Sequence, residues 1–175
     1  MKAVFLDRDG TIINDPNDLR VKSESDLNLF ADTIESLRLL SDNGFAIIII
    51  TNQAGIAEGL ITKDDYLRIN DAFVQMLKPS GATILKTYMC PHSESDNCEC
   101  RKPKPKMILD AAKDFDVDLK SAFMVGDRPS DIAAGIAAGT RTVMVKTANT
   151  YVPAPNAEHT ADTLLDAAKY IIANT

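Results

Sequence analysis

The amino-acid sequence predicts an α/β domain with a doubly wound, mostly parallel sheet. Three observations lead to this fold class. Short apolar runs alternate with helical patterns along the chain, several runs are almost continuously apolar and β-branched, and no repeat or flexible linker interrupts the alternation. Strands covered by helices on both faces have such sequences, and strand–helix alternation is typical of parallel sheets.

Each element is predicted from its local pattern. The predicted strands are Ala3–Leu6, Phe45–Ile50, Thr83–Met89, Ala122–Val125 and Thr142–Val145. For the helices, Thr62 with Asp65 forms a capping box, and Asn43-Gly44 is a stop signal. The predicted helices run from near Asp32 to Asn43-Gly44, from Thr62 to Pro79, from Pro105 through Phe115, from near Pro129 to just before Gly139, and from roughly Thr163 to Ala173. The apolar residues that define the first three are Ile34, Leu37, Leu40, Leu67, Ile69, Phe73, Ile108, Leu109, Ala112 and Phe115.

Length and charge limit the class of protein. A chain of 175 residues is predicted to form one domain, residues 1–175. Its formal net charge of −6 provides no broad positive field for nucleic-acid binding. The longest apolar run, Phe45–Ile50, is too short to cross a membrane, and the apolar start of the chain is too short for a signal peptide. We therefore expect a soluble, cytoplasmic monomer that binds neither nucleic acid nor membrane.

All three cysteines, Cys90, Cys98 and Cys100, lie in one short segment together with His92. An odd number of crowded cysteines without an export signal is not typical of a disulfide framework. Three thiolates and one imidazole make a complete tetrahedral zinc set and leave no open position for catalysis. The alternative is a coincidental cluster of surface thiols. We expect a structural Zn²⁺ that holds this loop in shape.

Polar residues follow four of the predicted strands. The strand ends read Asp7-Arg8-Asp9-Gly10-Thr11, Thr51-Asn52-Gln53, the cysteine segment with Arg101-Lys102-Pro103, and Gly126-Asp127-Arg128. The carboxyl ends of parallel strands meet at one edge of the sheet, where open α/β folds bind ligands. Carboxylates, a hydroxyl, an amide and cations are the set that a metal-assisted reaction on a phosphate needs. This convergence predicts an active site.

The first strand end offers two carboxylates. Asp7 and Asp9 lie two positions apart, so in an extended chain both would face one side and could share a divalent cation. The alternative is a polar strand end with an ordinary turn at Gly10.

The other strand ends have similar alternatives. Thr51 could donate to phosphoryl oxygens or cap a helix, and Lys102 could neutralise phosphate or belong to a solvated charge pair. Asp127 could complete a magnesium site or stand in a turn. Asp131 could equally be a partner of that site or an exposed charge in the first turn of a helix.

Taken in order, these motifs resemble the four motifs of the haloacid dehalogenase (HAD) superfamily of phosphohydrolases. The resemblance rests on Asp7-Arg8-Asp9-Gly10-Thr11, Thr51-Asn52-Gln53, Lys102 and Gly126-Asp127-x-x-x-Asp131. A narrower group, the D-glycero-D-manno-heptose 1,7-bisphosphate phosphatases and the histidinol-phosphate phosphatases, is similar in two further segments. These are Cys90-Pro91-His92 through Cys98-Glu99-Cys100-Arg101-Lys102-Pro103-Lys104-Pro105 and, for the heptose enzymes, Thr51-Asn52-Gln53-Ala54-Gly55-Ile56-Ala57.

The resemblance implies an aspartyl-phosphate mechanism. According to this resemblance, Asp7 is the nucleophile, and Asp9 protonates the leaving oxygen and then deprotonates the hydrolytic water. Thr51 and Lys102 orient and neutralise the phosphoryl group. Mg²⁺ is held by the Asp7 carboxylate, the Asp9 backbone carbonyl and Asp127. The substrate-binding residues that it implies are Asp15, Asn52, Gln53, Ala54, Arg101 and Arg128.

Two features set the chain apart within that group. Residues 14–22 contain no aromatic residue, whereas the heptose enzymes often have a His-Gly-Tyr-Val-like loop there. The segment from Ile12 to Gly44 already contains a helix, so we expect no separate cap domain and a site covered by short loops.

The leading hypothesis is a Mg²⁺-dependent phosphatase that removes the C7 phosphate of D-glycero-D-manno-heptose 1,7-bisphosphate. Histidinol phosphate is the nearest alternative substrate. A nucleic-acid end phosphatase is disfavoured by the acidity of the chain and by the absence of tryptophan. A zinc-braced binding module without catalysis is disfavoured by the complete catalytic set.

Overall fold

The computed structural model describes residues 1–15, 21–147 and 151–175. Its strands are β1 (Ala3–Leu6), β2 (Ala46–Asn52), β3 (Ile84–Cys90), β4 (Phe123–Gly126), β5 (Arg141–Val145) and β6 (His159–Ala161). They form one sheet in the order β3-β2-β1-β4-β5-β6, and every neighbouring pair is parallel. The predicted fold class is confirmed.

Helices connect the strands. They are α1 (Thr33–Asp42), α2 (Lys63–Leu77), α3 (Lys106–Phe115), α4 (Pro129–Ala138) and α5 (Leu164–Ala173). The predicted capping box is present, because the Thr62 hydroxyl accepts a hydrogen bond from the backbone N–H of Asp65 at 3.0 Å. Short 3₁₀ turns lie at Glu24–Asp26, Lys78–Ser80 and Leu119–Ser121. No helix in the described parts of the chain is long and apolar enough to span a membrane.

The helices cover both faces of the sheet. Because side chains alternate along a strand, Val4 and Leu6 of β1 pack against α1, α2 and α5, while Ala3 and Phe5 pack against α3 and α4. Because side chains on both faces of β1 are buried, its sequence is continuously apolar instead of alternating between apolar and polar residues.

Two helical residues and one strand differ from the sequence prediction. Leu67 and Leu109 are 49% and 43% exposed, and Tyr66 and Met107 are buried instead. Leu67 cannot share a helix face with Ile69, since residues two apart do not lie on one face. β6 was not predicted, because its three residues have no apolar pattern and are ordered by pairing with β5.

The order of the strands creates a switch point between β1 and β4. From β1 the chain first builds the sheet in one direction, through β2 and β3, and then in the other, through β4, β5 and β6. Ligands of open parallel sheets bind in the crevice outside the carboxyl ends at such a point. Between β1 and α1 the described residues form the 3₁₀ turn Glu24–Asp26, and Ile13 forms isolated bridges with Asp9 and Leu29.

Candidate active site

Three buried carboxylates meet at the switch point. Asp7 directly follows β1, Asp127 directly follows β4, and Asp131 lies in the first turn of α4. All three residues are buried, and one carboxylate oxygen from each lies within 4.8 Å of the others. Pairing of Leu6 with Val125 across the two strands brings Asp7 and Asp127 together. Clustered carboxylate oxygens are the ligands that Mg²⁺ takes in proteins.

The close approach of these groups depends on two glycines. A Cβ atom on Gly10 would lie 2.5 Å from Oδ2 of Asp127, and one on Gly126 would lie 2.3 Å from Cβ of Asp131. Gly10 also has a φ of +90°, which residues with side chains rarely adopt. Any larger residue at either position would push the carboxylates apart.

One oxygen of the cluster is buried without a hydrogen bond, and Nε of Arg128 lies 3.8 Å from it. Thr11 Oγ1 donates to Oδ1 of Asp127 at 3.0 Å, whereas Oδ2 of Asp127 has no hydrogen-bond partner among the described residues. Buried polar atoms almost always have a partner in proteins. A buried carboxylate oxygen without a hydrogen bond, beside two further carboxylates, fits the place of a bound cation.

Burial and mutual repulsion disfavour charge on these groups. Burial raises the pKa of Asp7 well above its usual value; Lys102 opposes the shift, and the charges of Asp131 and Asp127 add to it. Burial likewise raises the pKa of Asp127 to about 6, with Asp131 adding to the shift and the Thr11 hydroxyl opposing it. A divalent cation would reverse this balance, because it favours the ionised form of every carboxylate near it. The residues present therefore fit Mg²⁺.

Lys102 supplies the positive charge of the cluster. Its Nζ donates to Oδ1 of Asp7 at 2.7 Å and to the carbonyl of Ile50 at 2.8 Å, and it lies 2.7 Å from Oδ1 of Asp131. Burial disfavours the ammonium form, but the charges of Asp131 and Asp7 outweigh it and hold the pKa of Lys102 above its usual value. Lys102 is therefore a fixed cation beside Asp7, not half of a solvated pair.

Asp131 is a partner of the site and not an exposed charge. One of its oxygens contacts Lys102, and the other accepts a hydrogen bond from the backbone N–H of Arg128 at 3.0 Å. The same carboxylate thus caps α4 and anchors the lysine.

Asn52 holds the backbone of Lys102. Its Nδ2 donates to the carbonyl of Lys102 at 3.2 Å, and its Oδ1 accepts from the N–H of Lys102 at 3.1 Å. Two bonds from one side-chain amide fix the loop that carries Lys102 to the end of β2. Asn52 also lines the cavity over the site, as its predicted role in substrate binding requires.

The Asp9 carboxylate lies outside the trio. It accepts from Nε and Nη2 of Arg8 at 3.1 and 3.0 Å and from Nε2 of Gln53 at 2.7 Å. The chain leaves the extended conformation after β1, and the N–H groups of Ile12 and Ile13 bond back to the Arg8 carbonyl. The expectation that the side chains of Asp7 and Asp9 share a cation is therefore not met. The Asp9 backbone carbonyl stays a predicted Mg²⁺ ligand.

Thr51 lies in the last part of β2 and does not cap a helix. Its buried hydroxyl oxygen accepts from Nε2 of Gln53 at 2.8 Å. One amide group therefore links Thr51 to Asp9, since the same Nε2 atom also donates to Asp9. The hydroxyl hydrogen of Thr51 has no protein acceptor within the described residues and can be donated to a phosphoryl oxygen.

A cavity of about 460 Å³ opens above these groups. Nine of the predicted catalytic and substrate-binding residues line it: Asp7, Asp9, Asp15, Asn52, Gln53, Ala54, Arg101, Lys102 and Arg128. Further basic and apolar lining residues are Lys22, Lys104, Val21, Leu60 and Ile61. Of the segment 14–22, whose composition differs from the heptose enzymes, residues 16–20 lie outside the described residues.

The cysteine segment forms a compact cluster beside this cavity. The sulfur of Cys90 lies 3.5 Å from that of Cys98 and 2.9 Å from that of Cys100, and Nδ1 of His92 lies 3.3 Å from Sγ of Cys100. Tetrahedral zinc with bonds of about 2.3 Å requires sulfurs about 3.8 Å apart. The distances from Cys98 to the other two sulfurs, 3.5 and 3.6 Å, approach this value, whereas Cys90 and Cys100 lie closer together. Burial and the neighbouring Cys100 hold the pKa of Cys90 well above its usual range, and a bound cation would favour the thiolate. These four residues fit a structural Zn²⁺.

The cluster is tied to the catalytic edge of the sheet. The backbone N–H of Gln53 donates to the carbonyl of Cys90 at 2.7 Å, and Nη1 of Arg101 donates to the carbonyl of His92 at 3.2 Å. Arg101 and Lys102 directly follow the last zinc-ligand candidate. The shape of this loop therefore decides where both cations stand.

Comparison with known proteins places the chain in a family. A sequence model described as HAD-hydrolase-like matches residues 99–168. A D-glycero-alpha-D-manno-heptose-1,7-bisphosphate 7-phosphatase of Photorhabdus laumondii is 41% identical over 94% of this chain and 91% of its own length. The chain belongs to the phosphatases of the HAD superfamily. A second relative in this superfamily, the D-glycero-beta-D-manno-heptose-1,7-bisphosphate 7-phosphatase of Pasteurella multocida, is 39% identical over 83% of this chain and 82% of its own length.

The fold of this HAD phosphatase matches that of a solved relative over its whole length. The D,D-heptose 1,7-bisphosphate phosphatase of B. bronchiseptica, crystallised with magnesium and phosphate, superposes with a TM-score of 0.90 at 30% identity, covering 100% of both chains. Because these relatives are phosphatases of the superfamily, the protein is a phosphoric monoester hydrolase.

Sequence reasoning assigned no role to two residues that contact the site. Thr11 binds Asp127, and Arg8 binds Asp9. Both stand next to motif carboxylates, and a charged residue between two aspartates at a strand end is a signal that could have indicated Arg8. The contact of Thr11 joins residues 116 positions apart, which no local pattern shows.

Proposed function

We propose that this protein is a Mg²⁺-dependent phosphatase that removes the C7 phosphate of D-glycero-D-manno-heptose 1,7-bisphosphate through an aspartyl-phosphate on Asp7. The observation that carries the proposal is the position of Asp7, which lines the cavity together with several basic side chains and contacts the ammonium group of Lys102. Heptose bisphosphate phosphatases among its relatives cover nearly the whole chain.

The proposed chemistry assigns each step to a residue. A carboxylate oxygen of Asp7 attacks phosphorus while the bond to the leaving oxygen breaks, and Asp9 gives its proton to that oxygen. Asp9 then accepts a proton from the water that attacks the aspartyl-phosphate and releases Asp7. The Lys102 ammonium and the Thr51 hydroxyl hold the phosphoryl oxygens throughout.

Mg²⁺, held by Asp7, Asp127 and the predicted backbone carbonyl of Asp9, would supply positive charge that lets an anionic nucleophile meet an anionic phosphate. Asp131 supports this arrangement by holding Lys102. Zn²⁺ on the cysteine cluster is proposed to be structural, because Cys90, His92, Cys98 and Cys100 provide four ligands and leave no open position.

The lining of the cavity supports a bisphosphate substrate. Lys22, Arg101, Lys104 and Arg128 line the cavity, against the acidic side chains of Asp15 and Glu94. These basic side chains would attract a second phosphate far from the reacting one. Histidinol phosphate has an ammonium group beside its single phosphoester and an imidazole at its far end, so it offers no second phosphate for these basic side chains to attract. The volume of about 460 Å³ suits a ligand of sugar-phosphate size.

We further propose that the protein acts as a single-domain cytoplasmic monomer without nucleic-acid or membrane partners. The net charge of −6 supports this proposal, because it opposes attraction to anionic polymers and membrane surfaces.

The test is product analysis by phosphorus NMR. Purified protein with Mg²⁺ is incubated separately with both anomers of the heptose bisphosphate, with histidinol phosphate and with an oligonucleotide carrying a terminal phosphate. We expect the C7 phosphate resonance to disappear while the C1 phosphate remains, and Asp7→Asn protein to leave every substrate intact. Faster hydrolysis of histidinol phosphate or of the oligonucleotide, or loss of the C1 phosphate first, would contradict the proposed substrate.

A further inference from the structure

Arg8 is a fully buried arginine to which the proposed mechanism assigns no step. It stands between Asp7 and Asp9 in the sequence, and its exposed fraction is 0%. Burial of a guanidinium without water is costly unless the group is paired and hydrogen-bonded. Its contacts must therefore compensate for that cost, and they all lie at the active site or at α2.

Among the described residues, the side-chain hydrogen bonds of Arg8 all go to Asp9. Nε donates to Oδ1 of Asp9 at 3.1 Å, and Nη2 donates to Oδ2 of Asp9 at 3.0 Å. Two parallel bonds from a planar group fix both the position and the plane of the carboxylate. Gln53 adds a third donor, to Oδ2 at 2.7 Å.

The apolar side of Arg8 is fixed by α2. The guanidinium carbon lies 5.7 Å from the centre of the Tyr66 ring and 6.0 Å from that of the Phe73 ring, both buried. Aromatic faces attract a guanidinium at this distance. Nη1 is buried without a hydrogen-bond partner among the described residues. The orientation of Arg8 is thus set by Asp9 on one side and by two rings on the other.

These contacts distinguish the two oxygens of Asp9. Oδ2 accepts two hydrogen bonds, from Arg8 and Gln53, whereas Oδ1 accepts one, from Nε of Arg8. A carboxylate oxygen has about two lone-pair sites, so within the described contacts only Oδ1 keeps one for a proton. The side chain of Asp9 remains 22% exposed and lines the cavity.

We propose that Arg8 is a positioning residue that holds Asp9 so that Oδ1 carries the proton delivered to the leaving oxygen. The inference rests on the proposed role of Asp9 as general acid and base. Arg8 itself exchanges no proton: in the first step the proton passes from Oδ1 to the leaving oxygen, and in the second Oδ1 takes one from water. Lysine cannot replace the guanidinium of Arg8, because an ammonium group does not bind both oxygens of a carboxylate in one plane.

The test compares leaving groups in single turnovers. p-Nitrophenolate departs without a proton, whereas a sugar alcohol needs one, so misplacing the acid slows only the second class strongly. The sugar phosphate used is the one that the wild type hydrolyses fastest. We expect Arg8→Lys and Arg8→Met to slow cleavage of its phosphoester bond by roughly 100-fold, and cleavage of p-nitrophenyl phosphate by less than about tenfold. Asp9→Asn is the reference and should show the same contrast.

Arg38→Met is the matched control. Arg38 is an exposed arginine of α1 that donates to the backbone carbonyls of Pro79 and Ser80, so its loss should leave both rates unchanged. Arg8→Lys keeps the buried charge and Arg8→Met keeps the volume, so at least one variant is expected to keep the wild-type thermal midpoint. Equal slowing on both substrates in a folded variant, or no slowing, would overturn the role of Arg8. Wild-type rates for Asp9→Asn would instead overturn the proposed mechanism.

Discussion

Asp127→Asn is predicted to stabilise the metal-free protein while weakening its use of Mg²⁺. The substitution preserves the shape of the side chain, and its Oδ1 can still accept from Thr11. The new Nδ2 takes the place of Oδ2, which accepts no hydrogen bond from the described residues and lies 3.8 Å from Nε of Arg128. One carboxylate oxygen each of Asp7, Asp127 and Asp131 lies within 4.8 Å of the others. One of three mutually repelling carboxylates is thereby replaced by a donor.

The magnitude follows from the pKa of Asp127. Burial and the neighbouring Asp131 raise this pKa from 3.8 to about 6, roughly two pH units at about 1.4 kcal/mol each. Because the folded-state value lies above the unfolded one, the folded protein binds the proton more tightly, and stability falls as the pH rises through roughly 4 to 6. Asparagine does not ionise, so the variant should be more stable by about 3 kcal/mol at pH ~7.5 and by about half of that at pH ~5.

The assay is urea unfolding at both pH values after dialysis into Mg²⁺-free buffer, with zinc content checked to be equal. Asp110→Asn is the control, since Asp110 forms an exposed ion pair with Lys106 on α3 and should show no comparable change between the two pH values. Activity of Asp127→Asn should require more Mg²⁺ than the wild type. A variant that is less stable than the wild type at the higher pH, or a difference that is the same at both, would refute the reasoning.

The remaining predictions concern the two metals and the loop that carries Lys102. Elemental analysis should find about one zinc per chain. Cys98→Ser should lower both the thermal midpoint and the activity, because the loop that holds Arg101 and Lys102 loosens. Metal-free protein with full stability and activity would contradict this prediction. Dialysis against Mg²⁺-free buffer should remove activity, and added Mg²⁺ should restore it within the mixing time at unchanged zinc content; activity that follows zinc and ignores Mg²⁺ would make zinc the catalytic ion. Asn52→Ala should lower kcat roughly tenfold, because the Lys102 backbone loses two hydrogen bonds. The control is Asn43→Ala, at the end of α1. Equal kcat values in the two variants would contradict the positioning role of Asn52.

Much of the fold and of the site could be predicted because their signals are local. β1, β2 and β4 are buried along nearly their whole length and are therefore almost continuously apolar in sequence. The zinc cluster can be predicted from the sequence because all four candidate ligands lie in the short segment from Cys90 to Cys100. β6 has no such signal, because pairing with β5 orders it.

The contacts between distant residues could not be predicted. Asn52 and Lys102 are 50 positions apart, and only the parallel sheet and the folded cysteine loop bring them together. The same holds for Asp131, whose burial depends on Gly126 and on the lysine that it contacts. Asp9 was expected to share a cation with Asp7 through its side chain, but the chain turns after β1, and the Asp9 carboxylate accepts from Arg8 and Gln53 while lining the same cavity as Asp7.

Trapping of the phosphoenzyme tests the central claim, that Asp7 is the nucleophile, most directly. Asp9→Asn protein lacks the base for the second step, so a rapid acid quench with p-nitrophenyl phosphate and Mg²⁺ should add the mass of one phosphoryl group to the peptide that contains Asp7. The double variant that also carries Asp7→Asn should gain none. Phosphate found on another residue, or turnover by Asp7→Asn at the wild-type rate, would contradict the account.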